Sequence, residues 1–514
     1  ARLAGPEPLQ PLPVSQGVDL RLLGKLARIG ELHACHSPGD CTGMAFPHTA
    51  EDFTSAEFGP EWCTKAFRRF GVLSQDNEVT RIARCQELPH SGWDCAGYAA
   101  MKAYLTVEYA RLDAGLHTEL FVKMPWDPGR NLRWRKNAAA PPAAELNVGV
   151  FCEHLFPFPV PKVYFADASA QSTNWVLITE CIPYGRAGEG GERPPYEILP
   201  ACNKYQDFLL RDPAELYYCI FRALGQLAGW DKRGRFDGLL GPAAEYSEEQ
   251  YLARHRRLLS GRRLRRDAEA QRRRVDQVAE AAAAFATETA PHFFAQAARA
   301  PRSLQSMRAD LRELAPYLAD VHAFQASSSE WVAALHGNPQ VDNVYFWRDE
   351  HGDADCGLLD WAGFGRAPVA ERLKFCLAGA LPDMLDAHEE GLMKIFCDEY
   401  HRYGGPELQW QELLLRWRLD FAAYLAGVLG QVHASILSGD DAIPAERWKE
   451  LKGLHDPAFQ SNFVVRCWAS MVVNGMEFWP RRDFRSIFVH WMEGAGKPYI
   501  RPYDRSDLWD LLAG

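Results

Sequence analysis

The chain has 514 residues, 47% of them hydrophobic and 24% charged, with 16 Trp and 27 Phe; this is ample for a large buried core and excludes extensive disorder. A formal net charge of -10 disfavours binding nucleic acid through the surface as a whole, and no run of eighteen uncharged apolar residues occurs, because the most apolar late stretch, 463–473, is broken by Arg466. Thirteen cysteines without regular spacing suit free thiols in a reducing compartment better than a disulfide framework.

Residues 1–17 carry four prolines and read as an extended arm. Residues 18–30 follow with helical periodicity on Leu20, Leu22, Leu23, Leu26 and Ile29. His33, Cys35, His36 and Cys41 match no common zinc spacing, and the segment reads as a loop. A short helix closed by Gly71 comes next. Three β-rich runs at 78–88, 100–110 and 118–126 then suggest an antiparallel meander. A Pro- and Arg-containing loop extends to Pro142. It is followed by a helix over 143–156, two further strands within 157–169 and 175–182, and a Gly/Pro-rich connection from 183 to 200.

Beyond that connection the pattern is mostly helical. Ten arginines between 254 and 274 run into an Ala-rich stretch. This reads first as a solvated helix or helical hairpin, second as a docking surface for an acidic protein, lipid headgroups or an anionic substrate, and third, lacking interleaved aromatics, as a nucleic-acid surface. The sequence GAGKP at 494–498 lacks the spacing of a phosphate loop, and no GxSxG or HExxH is present, so a hydrolase reading has no anchor.

The chemistry concentrates in residues 335–364, LHGNPQVDNVYFWRDEHGDADCGLLDWAGF. Two short turns, each ending in a strand, put His336, Asn338, Asn343 and Asp360 within one hairpin's reach. Phosphoryl-transfer sites are built this way: a catalytic loop orients the attacking hydroxyl, an Asn five residues later meets the metal, and an Asp after the next strand meets the same ion. Upstream, Lys123 stands in the strand LFVKM ahead of a helix bearing Glu145. A strand Lys paired with a helix Glu is the arrangement that positions ATP phosphates; Glu153, nearer the helix end, is an alternative partner. Residues 178–182, including Glu180 and Ile182, end a strand where backbone groups would meet an adenine edge.

On these residues the chain resembles the aminoglycoside phosphotransferase and choline kinase superfamily, especially its ecdysteroid-kinase-like branch, over about 50–440. The superfamily's HGD, four residues, Asn, then a strand and DW or DF, is matched by HGNPQVDN and LLDW. The stretch SGWDCAGYAAMKAYLTVEY resembles its phosphate-covering loop and second strand, with Gly92 and Gly97 supplying flexibility.

The resemblance implies an α+β, bilobal protein-kinase-like fold. An N-terminal arm and short helix would occupy 1–50, a β-rich nucleotide-binding lobe 51–183, and a larger helical lobe 184–514, which holds the 335–364 hairpin and an Arg-rich insertion near 248–300. It implies ATP and Mg²⁺ as cofactors, with Asn343 and Asp360 on the metal. Lys123 would hold phosphate with Glu145 paired to it, and His336 would structure the loop. The partner would be a small-molecule hydroxyl substrate, and a protein could dock on the arm or the Arg-rich insertion. Location is expected to be soluble and cytoplasmic, or an organelle interior if Ala1 is a processed start.

Three departures stand out. Asn338 replaces the Asp that would take the hydroxyl proton, Ala228 and Gly229 precede Trp230 where a His-Ala pair is usual, and Glu371, Arg372 and Leu373 open the helix after the metal Asp where Asp-Leu is usual. The alternative is therefore a noncatalytic pseudokinase serving as scaffold or subunit.

Overall fold

The computed structural model describes residues 12, 25–88, 100–185, 197–239, 263–439, 442–459 and 462–500. Helices α1 (Ile29–His33) and α2 (Pro60–Arg69) lead into five strands, β1 (Val79–Glu87), β2 (Met101–Tyr109), β3 (Glu119–Met124), β4 (Val163–Ala168) and β5 (Trp175–Glu180). These form one antiparallel sheet in the order β1-β2-β3-β5-β4. The expected meander is thus present, and the last two strands extend it beyond β3.

Alternation along the strands sorts side chains between two faces. Ala103, Leu105 and Val107 of β2 and Leu120, Val122 and Met124 of β3 enter a cluster with Trp62, Cys63, Ala66 and Phe67 of α2. The opposite face packs Val163, Ala166, Trp175 and Leu177 against Leu146. Lys123 has the second parity, so the sheet turns it away from α2. The side it faces carries helix α4, described below.

The segment read as a loop up to Pro142 contains helix α3 (Pro128–Asn137). Asp127 caps it by accepting from Gly129 N–H at 2.7 Å, and proline opens its first turn. The loop expected here is thus partly helical, and the cap is the reason. The expected helix over 143–156 is regular only as α4 (Ala143–Asn147), which widens to a π turn over Val148–Cys152 and tightens to a 3-10 turn over Glu153–Leu155.

The rest of the described chain is a larger helical lobe. Helix α5 (Pro213–Lys232) crosses α10 (Pro382–Arg402) closely, because a Cβ at Gly225 would sit 2.7 Å from Phe396 O and one at Gly229 2.6 Å from Tyr400 O. Gly229, one of the departures noted in the sequence, is therefore a packing requirement of this crossing. Between them in the chain lie α6 (Arg263–Ala284), α7 (Pro301–Leu314), α8 (Leu318–Gln325) and α9 (Val369–Leu377), and α11 (Trp410–Leu429), α12 (Phe463–Phe478) and α13 (Phe484–Glu493) complete the lobe. Its core runs from Leu224 through Phe396 and Trp417 to Trp491. Helix α6 contains the C-terminal half of the Arg-rich stretch; residues 254–262 lie outside the described residues.

Two small two-stranded sheets stand at the lobe junction. Strand β6 (Val332–Leu335) pairs with β9 (Gly365–Pro368), and β7 (Val344–Arg348) pairs with β8 (Ala354–Leu358). The architecture is α+β and bilobal, as expected. Among the described residues every cysteine is free, and no helix is long and apolar enough to cross a membrane.

Candidate active site

The pairing of β6 with β9 outside β7 with β8 brings two loops side by side. The first, 336–343, leaves β6 for β7. The second, 359–364, leaves β8 for β9. Leu359 N–H donates to Asn343 O at 3.0 Å, and His336 Nε2 donates to Leu359 O at 2.9 Å. The backbones touch at Gly337 and Gly363, where a Cβ on Gly337 would lie 2.3 Å from Gly363 Cα. Asp231 of α5 holds the base of this unit by accepting from Ala334 N–H at 2.9 Å and from Arg366 Nε at 2.9 Å.

His336 is fully buried and edges against Trp361, ring centroids 4.8 Å apart. Its Nδ1 accepts from Asn338 N–H at 3.1 Å while Nε2 serves Leu359 O, which fixes the neutral tautomer with its proton on Nε2. Burial lowers its pKa to about 4. His336 is thus a pin between the two loops.

Asn338 is half-buried with its backbone engaged on both sides, since its carbonyl accepts from Asn343 Nδ2 at 2.7 Å and from Gln340 N–H at 2.9 Å. Its side chain is the amide noted in the sequence. Asn343 is buried, and because Nδ2 is spent on Asn338, its Oδ1 is the oxygen left for a ligand. Asp342 next to it is an ion partner of Lys204 at 3.2 Å, with its pKa raised by burial.

Asp360 adopts the left-handed conformation, φ +66°. For a non-glycine residue this is an uncommon, strained backbone of the kind that concentrates at functional sites. It aims the carboxylate across the lobe junction. Lys123 Nζ lies 2.5 Å from Asp360 Oδ1 and 2.5 Å from Glu145 Oε1. One ammonium from the sheet therefore joins a carboxylate of α4 to a carboxylate of the helical lobe.

Burial alone would lower the Lys123 pKa, but Asp360 and Glu145 outweigh it and hold the ammonium above its usual range. The carboxylates divide. Burial raises Glu145, whereas for Asp360 burial is outweighed by Lys123, then by Lys102, and its carboxyl is held well below the usual range. Lys102 pairs in register with Lys123 on β2, so it adds positive field on the same face. Period-two parity could have found it in the sequence. Glu153, the alternative partner for Lys123, instead accepts from Val163 N–H at 2.8 Å.

At the end of β5, the Glu180 carboxylate is 2.8 Å from Nε2 of His117 in the β2–β3 loop. Ile182 is buried with Ile198, Tyr345 and Trp347, an apolar patch between the interlobe connection and the β7–β8 hairpin. Gly92 and Gly97 lie outside the described residues. A contact that no sequence signal announced backs the Glu145 helix: Asn147 Oδ1 accepts from Leu12 N–H at 2.8 Å and Asn147 Nδ2 donates to Leu12 O at 2.8 Å, with Leu12 buried in the cluster around Leu146 and Val163. One residue of the Pro-rich arm is thereby seated against α4.

No family model matches the chain, and no curated protein matches it. Solved structures similar to it include a choline/ethanolamine kinase family protein from Mesorhizobium loti, 12% identical over 79% of this chain and 98% of that one, TM-score 0.34. A choline kinase from Cryptosporidium parvum is 9% identical over 85% and 96%, TM-score 0.35. An aminoglycoside phosphotransferase from Streptomyces rimosus, solved with ADP and streptomycin, is 15% identical over 63% and 89%, TM-score 0.29.

Proposed function

We propose that this chain binds a magnesium nucleotide between its sheet and its helical lobe, as a phosphotransferase of the aminoglycoside phosphotransferase and choline kinase type acting on a small-molecule hydroxyl. The observation that carries the reading is the single ammonium of Lys123 held 2.5 Å from both Glu145 and Asp360. In phosphoryl-transfer sites a strand Lys steadied by a helix Glu grips phosphate oxygens, and catalysis is mostly positioning and electrostatics. Lys123 would exchange Asp360 for phosphate while keeping Glu145.

Asn343 Oδ1 and the Asp360 carboxylate are hard oxygen donors of the kind Mg²⁺ takes alongside substrate phosphates. When bound, Mg²⁺ supplies charge neutralisation on those oxygens. A base would rest against Ile182, which is backed by the buried side chains of Ile198 and Tyr345. Gly92 and Gly97 belong to the covering loop in this reading.

Asn338 sets the pace. Its amide can hold a hydroxyl but cannot accept its proton, and positioned base catalysis is worth about 10² to 10⁴ in rate. Asp342 is engaged with Lys204 and does not replace it. Transfer is therefore slow. That same residue favours a second reading, in which the chain binds nucleotide without turnover and serves as a subunit or scaffold.

The test is binding of a non-hydrolysable ATP analogue with Mg²⁺, followed by thermal melting and calorimetry. At a ligand concentration of 100 Kd, linkage stabilises by about 2.7 kcal/mol. The gain should vanish in Asp360→Asn. No shift at millimolar nucleotide would refute the proposal.

A further inference from the structure

Outside the cleft, the segment ahead of the sheet gathers three imidazoles and a carboxylate that the spacing in the sequence did not announce. His33 ends α1, and His36 follows. His48 and Asp52 flank the turn into a 3-10 helix over Asp52–Thr54. Ring centroids are 4.4 Å apart for His36 and His48 and 4.9 Å apart for His33 and His48. The two cysteines of the local sequence take no part: Cys35 is exposed, and Cys41 is buried in the cluster around Leu12.

One donor atom each of His36, His48 and Asp52 lies within 4.8 Å of the other two. His36 Nε2 is 3.2 Å from Asp52 Oδ2, and His48 Nδ1 is 4.0 Å from the same oxygen. Ligands of a tetrahedral zinc, bonded at about 2.0 to 2.2 Å, stand roughly 3.3 to 3.6 Å apart. His36 and Asp52 stand near that spacing, while His48 Nδ1, 4.0 Å from Asp52 within a set spanning up to 4.8 Å, would have to move inward to join them.

The second observation is an unpartnered ring nitrogen. His48 is 2% exposed, and its Nδ1 is buried with no hydrogen-bond partner. Such nitrogens are rare unless something satisfies them. The carboxylate is held in place: Asp52 Oδ2 accepts from His48 N–H at 2.9 Å and Thr49 N–H at 3.0 Å, and Asp52 N–H donates to Thr49 Oγ1 at 3.2 Å. Ligating carboxylates are commonly tethered this way.

His33 completes the surroundings. Asn174 Nδ2 donates to the carbonyls of His33 and Cys35, so Asn174 Oδ1 is the acceptor facing His33 Nδ1 at 3.1 Å. The His33 proton therefore sits on Nδ1, and its Nε2 is a buried lone pair without a partner. Arg135, whose Nη2 donates to Asn174 Oδ1 at 3.3 Å, opposes a cation directly on His33. His33 is accordingly a neighbour suited to accept from a metal-bound water. A cavity that His33 and His48 line, and His36 and Asp52 do not, also carries Glu51, Glu87 and Asp127, each ion-paired with Arg130.

We propose that His36, His48 and Asp52 form a three-ligand site for a divalent transition-metal ion of the zinc class, which clips the turn after α1 to the turn before α2. Two imidazoles and a carboxylate suit zinc or cobalt better than magnesium or calcium. The open coordination position would be taken by water. Because Phe58 stacks on His36 at a centroid distance of 4.8 Å, the ion would also fix the entry to α2 and its apolar face.

The test uses the untagged full-length chain after chelator dialysis, titrated with Co²⁺ and followed by visible absorption, with Zn²⁺ displacement and melting. Expected is one equivalent of Co²⁺ with the intense bands of low coordination number, bleached by Zn²⁺, and a rise in melting temperature with metal. His36→Ala should remove the bands and the rise; its side chain is 31% exposed, so the core stays closed. His48→Gln should do the same, covering the case in which His36→Ala perturbs folding. Asp360→Ala should leave both intact, separating this site from the cleft. Absence of stoichiometric Co²⁺ binding in the wild-type chain would overturn the proposal, as would bands that survive both histidine variants or disappear in Asp360→Ala.

Discussion

Replacing Lys123 with methionine keeps the length of the side chain and removes the charge shared by Glu145 and Asp360. Glu145 is 5% exposed and would be left as a buried carboxylate without a cation. Removing one partner of a buried pair typically costs 3 to 5 kcal/mol. Asp360 adds little to this, since its side chain is 39% exposed and rehydrates. Protonation of Glu145 caps the cost, so about 3 kcal/mol is expected. With an unfolding entropy of roughly 1 kcal/mol/K for a chain of this size, the melting temperature should drop by about 3 °C.

The pH dependence gives the cause away. Without Lys123 the folded-state pKa of Glu145 rises further above its unfolded value. The folded chain then holds the extra proton, and stability is greatest at low pH and declines as pH rises through that window. The gap to wild type should therefore shrink on going from pH 7 to pH 5. A Lys123→Met, Glu145→Leu double variant should recover most of the stability, because apolar packing replaces a buried ion pair at little cost. Neither variant should bind Mg²⁺ nucleotide tightly. Nucleotide affinity unchanged within twofold in Lys123→Met, or a double variant no more stable than the single one, would refute this account of the cleft.

Four further outcomes are expected. Asn338→Asp should raise ADP release in the presence of Mg²⁺ and a hydroxyl acceptor by 10² to 10⁴; an unchanged rate in a variant that still binds nucleotide would leave the noncatalytic reading standing. His336, lowered from 6.5 to about 4 by burial, is neutral when folded and protonated when unfolded between those values. It costs wild type up to about 3 kcal/mol as pH falls through that window, so His336→Gln should gain on wild type from pH 6.5 to 4 in parallel urea melts. Gly337→Ala would drive a Cβ to 2.3 Å from Gly363 Cα, and should cost about 1 to 3 kcal/mol while weakening nucleotide binding through the displaced loops, read by melting and calorimetry. Asn147→Ala removes both hydrogen bonds to Leu12, each worth about 1 kcal/mol, and should lower the melting temperature by roughly 2 °C.

Local pattern carried the strands and the loop chemistry. Alternating apolar residues marked β2 and β3, Gly71 closed α2 with φ +72°, and HGN, DN and LLDW are adjacent enough in sequence that pairing β7 to β8 leaves them little choice of position. What failed locally did so for identifiable reasons. The helix over Pro128–Asn137 depends on a capping carboxylate inside an Arg-rich, proline-opened stretch that reads as loop. The His36, His48 and Asp52 cluster depends on a turn that no spacing rule encodes.

By itself, then, the sequence determined which residue types sit on which face of each strand and that His336, Asn343 and Asp360 fall in neighbouring loops, because periodicity and turn chemistry act over a few residues. Tertiary structure alone decided that Lys123 serves Glu145 rather than Glu153, that it reaches Asp360 across the lobes, and that Leu12 is held by Asn147. Those contacts span from 22 to 237 residues of chain. They follow from how the sheet's second face, α4 and the two small sheets pack, which no local pattern specifies.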